Sequence, residues 1–129
     1  MIVQEVMRTN PLMIDPLSTL REALGMMKEK KVKSLVVNKQ NPNDAYGIIT
    51  YTSVLKAIVA EDGDIDLLNV YDVYAKPAIT ISKYVDIKHA AKLMVNQGIK
   101  RIIVADANEI EGLVTMTDII ENLMDVHNL

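Results

Sequence analysis

The chain has 129 residues, half of them hydrophobic, which fits one domain with a sizeable core, and it has no cysteine for disulfides or thiolate chemistry. Its net charge of −3 and its lack of Trp and Phe argue against a nucleic-acid-binding protein, which usually has a basic face or stacking rings. No apolar stretch approaches about 18 residues and no secretory leader is visible, so we expect a cytoplasmic protein without a membrane span.

The first half of the chain predicts a short amphipathic lead-in, followed by a strand, a helix, two strands and a helix. Thr19 and Glu22 have the spacing of a capping box, so a helix should begin beside Thr19. Gly63, in an acidic linker, is a plausible end for the second helix. The predicted elements are the lead-in 3–7, the strand 12–14, the helix 20–30, the strands 34–37 and 46–50, and the helix 53–61.

The same order of elements then repeats. The second set comprises the lead-in 70–74, the strand 79–81, the helix 87–97, the strands 102–104 and 110–115, and the helix 117–126. We therefore divide the chain into a first repeat with its lead-in at 1–62, a linker at 63–69 and a second repeat at 70–129. One copy of about sixty residues would be marginally stable alone, whereas two packed copies can share a core.

Each repeat contains a strand that runs into a helix through a hydroxyl residue. In the second repeat Thr115 ends the strand and Asp118 follows in the first helical turn, while the first repeat has Thr50 and Ser53. A helix N-terminus leaves N–H groups unpaired for an anion, and a carboxylate can accept two sugar hydroxyls. The alternative is that Asp118 only favours the helix dipole and the threonines are ordinary strand-end hydroxyls.

This duplicated pattern resembles a tandem pair of CBS domains (cystathionine β-synthase domains), also called a Bateman module. The resemblance covers roughly residues 3–125 and rests on two Gly-h-h-Thr-x-Thr-(Ser/Asp)-h-h segments, two Ala-x-x-x-Met helices, and the strands 33–37 and 100–104. It implies an α/β fold of two β-α-β-β-α repeats, related by a pseudo-twofold axis and packed into one module. It also implies a disc-like homodimer and clefts for adenosine-containing ligands, namely AMP, ADP, ATP or S-adenosylmethionine.

The resemblance also implies a role for individual residues. Asp118 corresponds to the carboxylate that binds ribose hydroxyls, and Thr115 to a hydroxyl near the phosphate or ribose. The backbone of Ile79, Thr80 and Ile81 corresponds to the wall that reads the adenine edge, and Lys100 and Arg101 to phosphate-binding cations. The matching positions in the first repeat are Thr50, Ser53, Met13, Ile14, Lys33 and Ser34. We expect this first site to be weaker, because Ser53 has no carboxylate and Ser34 no charge. Arg101 could instead be a solvated surface cation.

The sequence has no nucleophile–base pair, phosphate loop or credible set of metal ligands, so we expect no enzyme activity, no required cofactor and no metal site. The favoured function is a stand-alone regulatory protein that binds an adenosine-containing ligand and signals to an unidentified protein. The alternative is a ligand-free structural or dimerisation module, which the eight methionines would suit as core or interface residues. A nucleic-acid- or metal-binding version is disfavoured by the acidic charge and the lack of clustered ligands.

Overall fold

A computed structural model describes all residues of the chain, Met1–Leu129. They form two compact units, which we call the central unit (Leu12–Ala78) and the terminal unit (Met1–Pro11 with Ile79–Leu129). The boundaries lie after each lead-in and not before it. Each unit therefore holds the strands and helices of one repeat together with the lead-in that precedes the other repeat in the sequence.

The central unit is a three-stranded sheet with two helices. Its elements are β1 (Met13–Ile14), α1 (Leu20–Lys30), β2 (Ser34–Val37), β3 (Gly47–Thr50) and α2 (Tyr51–Leu55), which continues as a π-helix (Lys56–Ala60). The strand order is β1-β2-β3, with β1 parallel and β3 antiparallel to β2. Leu20, Ala23 and Met27 of α1 are buried in the core, and their spacing is the apolar stripe that the sequence predicts.

The terminal unit repeats this architecture. Its elements are β4 (Thr80–Ile81), α3 (Ile87–Gln97), β5 (Arg101–Asp106), β6 (Glu109–Thr115) and α4 (Met116–Val126). The strand order is β4-β5-β6, again with one parallel and one antiparallel pair. Ala107 and Asn108 join β5 to β6, and both have positive φ, as a tight two-residue hairpin turn requires. The predicted α/β class with two repeats is confirmed.

The two lead-ins occupy equivalent places in the two units. Each contains a short 3-10 helix, at Val3–Glu5 and at Val70–Asp72, and Val3 and Val70 are both fully buried. Val3 N–H donates to the carbonyl of Val85 and Val70 N–H to that of Ser18, each at 2.8 Å. The lead-ins therefore contribute core residues to their units. The predicted repeat boundaries at 1–62, 63–69 and 70–129 remain a prediction about the duplication, and the compact units divide the chain elsewhere.

The main differences from the sequence-based elements are in the second helix of the central unit. The predicted helix 53–61 begins at Tyr51, because Thr50 is its N-cap, and it changes to π geometry at Lys56. Gly63 does follow the helix end, where its N–H donates to the carbonyl of Ala57 at 2.8 Å. A Cβ on Gly63 would lie 2.6 Å from that carbonyl oxygen, so this close approach requires glycine.

Candidate functional site

The predicted strand-to-helix corner forms at the junction of β6 and α4. Thr115 is the N-cap of α4, and its Oγ1 accepts a hydrogen bond from Asp118 N–H at 3.1 Å. In return, the carboxylate Oδ2 of Asp118 accepts from the Thr115 hydroxyl at 2.8 Å and from the Thr115 N–H at 3.1 Å. This reciprocal pattern is a capping box. Asp118 therefore takes part in the cap and lies at the helix N-terminus, where its charge favours the helix dipole, as in the alternative that the sequence left open.

The other partner of the Asp118 carboxylate is Arg8, which comes from the lead-in of the terminal unit. Arg8 Nε donates to Oδ1 at 2.9 Å and to Oδ2 at 3.2 Å, and Nη2 lies 2.9 Å from Oδ1. Two backbone hydrogen bonds, 2.8 and 2.9 Å long, pair Arg8 with Leu113 of β6 and fix the start of its side chain. Only 10% of the Asp118 side chain is exposed, against 59% for Arg8. The aspartate is thus nearly buried and the arginine covers it.

This pair holds both groups in their charged forms. Burial alone would raise the pKa of Asp118, but hydrogen bonds from Arg8 and from the side chain and backbone of Thr115 outweigh burial, and the net pKa is lowered. The hydrogen bond to Asp118 and the attraction of its charge raise the pKa of Arg8. An ionised carboxylate at a helix N-terminus is also favoured by the helix dipole.

Arg101 lies next to this corner, on the strand that pairs with β6. It is the first residue of β5 and stands directly opposite Thr115 in the antiparallel register. Side chains of such opposed residues lie on the same face of the sheet. Arg101 is half-buried, and desolvation lowers its pKa with no carboxylate nearby to oppose the change. It is therefore a partly desolvated cation on the face that bears the Thr115 hydroxyl.

The remaining predicted residues of the terminal site differ in exposure. Lys100 is exposed at a bend before β5, and its carbonyl accepts a hydrogen bond from Met116 N–H. Ile79 and Ile81 pack against the core, whereas Thr80 is exposed. Because β4 is an edge strand, the backbone groups on its side away from β5 have no strand partner. The sheet therefore leaves one side of this segment unpaired.

The equivalent corner of the central unit has the same cap and different chemistry. Thr50 caps α2 by accepting from Ser53 N–H at 3.2 Å, and Ser53 Oγ donates to the Thr50 carbonyl at 2.9 Å. Ala75 takes the place of Arg8 and pairs with Ile48 through backbone hydrogen bonds of 3.0 and 2.9 Å. No charged side chain stands at either position.

The other predicted residues of the central site lie on β1 and directly before β2. Met13 pairs with Val36, as Thr80 pairs with Ile103, so Met13 and Ile14 occupy the positions of Thr80 and Ile81. Ile14 is buried, and Lys33 is exposed with its carbonyl bound to Tyr51 N–H. The weaker site expected here would have to bind without a carboxylate.

Sequence reasoning did not identify Arg8 as a site residue. One signal was present: the duplication aligns Arg8 with Ala75 and Asp118 with Ser53, so the charged residues occur together in one copy and are both absent from the other. No group of three or more His, Asp or Glu side chains is placed to hold a metal ion. None of the helices is both long and apolar enough to cross a membrane.

Comparisons with known proteins agree with the duplicated architecture. The sequence matches the family model of the CBS domain twice, over residues 3–60 and 70–125. An uncharacterized protein of Methanopyrus kandleri is 31% identical over 92% of this chain, which spans 61% of that protein's length.

Solved structures of CBS proteins share the fold. A hexameric CBS-CP12 protein from bloom-forming cyanobacteria has a TM-score of 0.88 and 29% identity, with 93% of this chain and 69% of that chain covered. A CBS domain pair in complex with 5′-methylthioadenosine and S-adenosyl-L-methionine has a TM-score of 0.85 and 19% identity, with 97% of each chain covered.

Proposed function

Because this chain belongs to the family of CBS-domain proteins, we propose that it is a regulatory protein whose terminal unit binds an adenosine-containing ligand and signals to a partner protein. The candidate ligands are AMP, ADP, ATP and S-adenosylmethionine. The observation that carries the proposal is the nearly buried Asp118 carboxylate at the N-terminus of α4, whose cap residue Thr115 stands opposite the half-buried Arg101 in the sheet. The structural neighbour that holds two adenosine derivatives supports the same class of ligand.

In this proposal each group has a defined role. The Asp118 carboxylate accepts hydrogen bonds from the ribose hydroxyls, which are charge-assisted and therefore strong. Arg101 and the N-terminus of α4 attract the anionic part of the ligand. The open edge of β4 at Ile79–Ile81 offers backbone groups to the adenine ring. The terminal site has the Asp118 carboxylate and the Arg101 guanidinium, whereas the central site at Thr50 and Ser53 has neither charge. The terminal site should therefore bind the ligand more tightly.

Regulation, and not catalysis, is the proposed outcome of binding. The corner contains hydroxyl, carboxylate and guanidinium groups but no activated nucleophile. A ligand can shift a conformational equilibrium only by as much as its affinities for the two states differ. We propose that the occupied terminal site favours one state of the protein and that a partner protein recognises that state.

The test is ligand binding by calorimetry and by the shift in melting temperature, with Asp118→Asn as the site variant. The amide keeps the size of the side chain and removes its charge, so we expect at least about tenfold weaker binding. The matched control is Ser53→Ala at the equivalent position of the central unit, which should leave the tightest binding unchanged. If none of the four ligands binds at millimolar concentration, the proposal is wrong.

A second candidate function, assembly without a ligand, is favoured by the apolar surface of the last helix of each unit. On α4, Ile120, Leu123 and Met124 are 42%, 52% and 45% exposed. The equivalent helix of the central unit exposes Tyr51, Leu55 and Val59. We propose that these faces pair two copies into a homodimer, since contiguous exposed apolar side chains are typical of protein–protein contacts. Sedimentation equilibrium of the wild type and of Leu123→Glu, which should dissociate the dimer, tests this proposal.

A further inference from the structure

We propose that Arg8 makes the terminal site selective for phosphorylated adenosine ligands, by pairing with Asp118 in the free protein and with the ligand's phosphate in the complex. This inference rests on the proposed function and narrows its ligand class. Among the candidates it favours AMP, ADP and ATP over S-adenosylmethionine, which has a sulfonium cation and no phosphate.

The first step is that Asp118 has no spare capacity in the free protein. A carboxylate offers about four lone-pair directions. Arg8 and Thr115 together make five contacts of 2.8–3.2 Å with the two oxygens of Asp118. A ribose diol can therefore reach this carboxylate only if Arg8 withdraws, because the contacts from Thr115 are part of the helix cap.

The second step is that Arg8 can withdraw while its segment stays in place. Its backbone is held by the two hydrogen bonds to Leu113, but its side chain is 59% exposed and its side-chain hydrogen bonds go to Asp118. Rotation about the side-chain bonds would carry the guanidinium away from Asp118 without disturbing the sheet.

The third step is that a displaced Arg8 needs a new anion. Its planar guanidinium matches the geometry of a phosphate and binds it with two parallel hydrogen bonds. Glu121 is the other carboxylate that acts electrostatically on Arg8, but it is exposed on α4, and exposed ion pairs contribute little. Adenosine has no anionic group, so it leaves Arg8 to water and must compete with it for Asp118, and S-adenosylmethionine offers a single carboxylate in place of a phosphate. A phosphorylated ligand satisfies both residues.

The central unit supports the proposal that Arg8 exchanges Asp118 for the ligand's phosphate. If Arg8 served only to neutralise a capping carboxylate, no consequence would follow for the ligand. The central corner shows that Thr50 and Ser53 complete the cap without any charge. The charged pair is thus unnecessary for the fold of the corner.

The test measures dissociation constants of AMP, adenosine and S-adenosylmethionine by calorimetry for the wild type, Arg8→Gln and Arg8→Lys. For the wild type we expect AMP to bind at least about tenfold more tightly than either other ligand. In Arg8→Gln the ratio of AMP to adenosine affinity should fall by about tenfold, with adenosine bound as tightly as before or more so. Arg8→Lys should retain part of the preference for AMP, because lysine keeps the positive charge but lacks the planar guanidinium.

Arg21→Gln is the matched control, because Arg21 forms an exposed ion pair with Asp66 in the central unit, and it should leave the ratio unchanged. An unchanged AMP-to-adenosine ratio in Arg8→Gln, or tighter binding of S-adenosylmethionine than AMP by the wild type, overturns the inference alone. The second outcome needs no variant to fold. If no adenosine ligand binds any of the proteins, both the inference and the proposed function fail.

Discussion

The terminal unit has an arginine–aspartate pair where the central unit has an alanine and a serine. The backbones around these positions are alike: Arg8 pairs with Leu113 as Ala75 pairs with Ile48. Thr115 and Thr50 both cap the helix that follows. The two corners therefore share the same backbone frame while these two positions differ together, so the fold of the corner does not require the charged pair.

The largest expected effect tests whether the cores of the two units are equivalent. Met27 and Met94 occupy equivalent core positions and are 0% and 2% exposed. Replacing either with alanine removes most of a buried side chain and should lower the free energy of unfolding by about 2–5 kcal/mol. Urea denaturation of Met27→Ala and Met94→Ala measures the two losses. A loss under about 1 kcal/mol for one of them would show that the two cores are not equivalent.

The next effect distinguishes the two corners by their caps. Thr50→Ala and Thr115→Ala each remove an N-cap hydroxyl and should cost about 0.5–2 kcal/mol of stability. Thr115→Ala should cost more, because the Thr115 hydroxyl also donates to the ionised carboxylate of Asp118, whereas Thr50 faces the neutral hydroxyl of Ser53. Chemical denaturation of the two variants compares these losses. Equal losses would mean that Arg8 already satisfies the Asp118 carboxylate.

A smaller effect appears in the pH dependence of stability. The pKa of Asp118 is lowered in the folded protein, so its contribution to stability is present above the unfolded pKa of about 3.9 and is lost as the pH falls through the folded pKa. In the central unit Asp44 behaves in the same way: Lys76 and the N–H groups of Gln40 and Ala45 lower its pKa to about 2.

Denaturation of Asp118→Asn and Asp44→Asn below about pH 4 measures this acid sensitivity. Each variant should lose stability less steeply with acid than the wild type. A steeper loss in either variant would contradict the assigned direction of its pKa shift.

The smallest effect concerns the end of the first helix in each unit. Lys31 and Gly98 follow α1 and α3 in the left-handed conformation, with φ of 56° and 64°. Glycine adopts this conformation without the steric cost that a side chain brings. Lys31→Gly should therefore stabilise the protein by a few tenths to about 1 kcal/mol, and Gly98→Lys should destabilise it by a similar amount. Thermal denaturation of the two variants should show shifts of opposite sign.

Local features of the sequence predicted most of the fold. The apolar spacing in α1 and α3 and the cap at Thr19 predicted helices whose bounds are those of the structure. The strand-to-helix corner at Thr115 and Asp118 was predicted for the same reason, since the residues that form it are three positions apart.

Contacts between distant residues were not predictable in this way. Arg8 and Asp118 are 110 positions apart, and no spacing rule connects them. Val3 and Val70 could be recognised as equivalent apolar positions, but periodicity does not tell which core each one enters. The π-helix after Leu55 likewise has no pattern that separates it from an ordinary helix.

Each lead-in packs in the unit of the other repeat, and this arrangement affects how the chain folds during synthesis. The central unit is one continuous stretch, Leu12–Ala78, and all of it leaves the ribosome before β5 and β6 do. The first eleven residues must wait, with Val3 unburied, until the last strands and helices are made. Since closing long loops is slow, the central unit should fold first and the terminal unit should be completed last. Arg8 and Asp118 meet only in that final step.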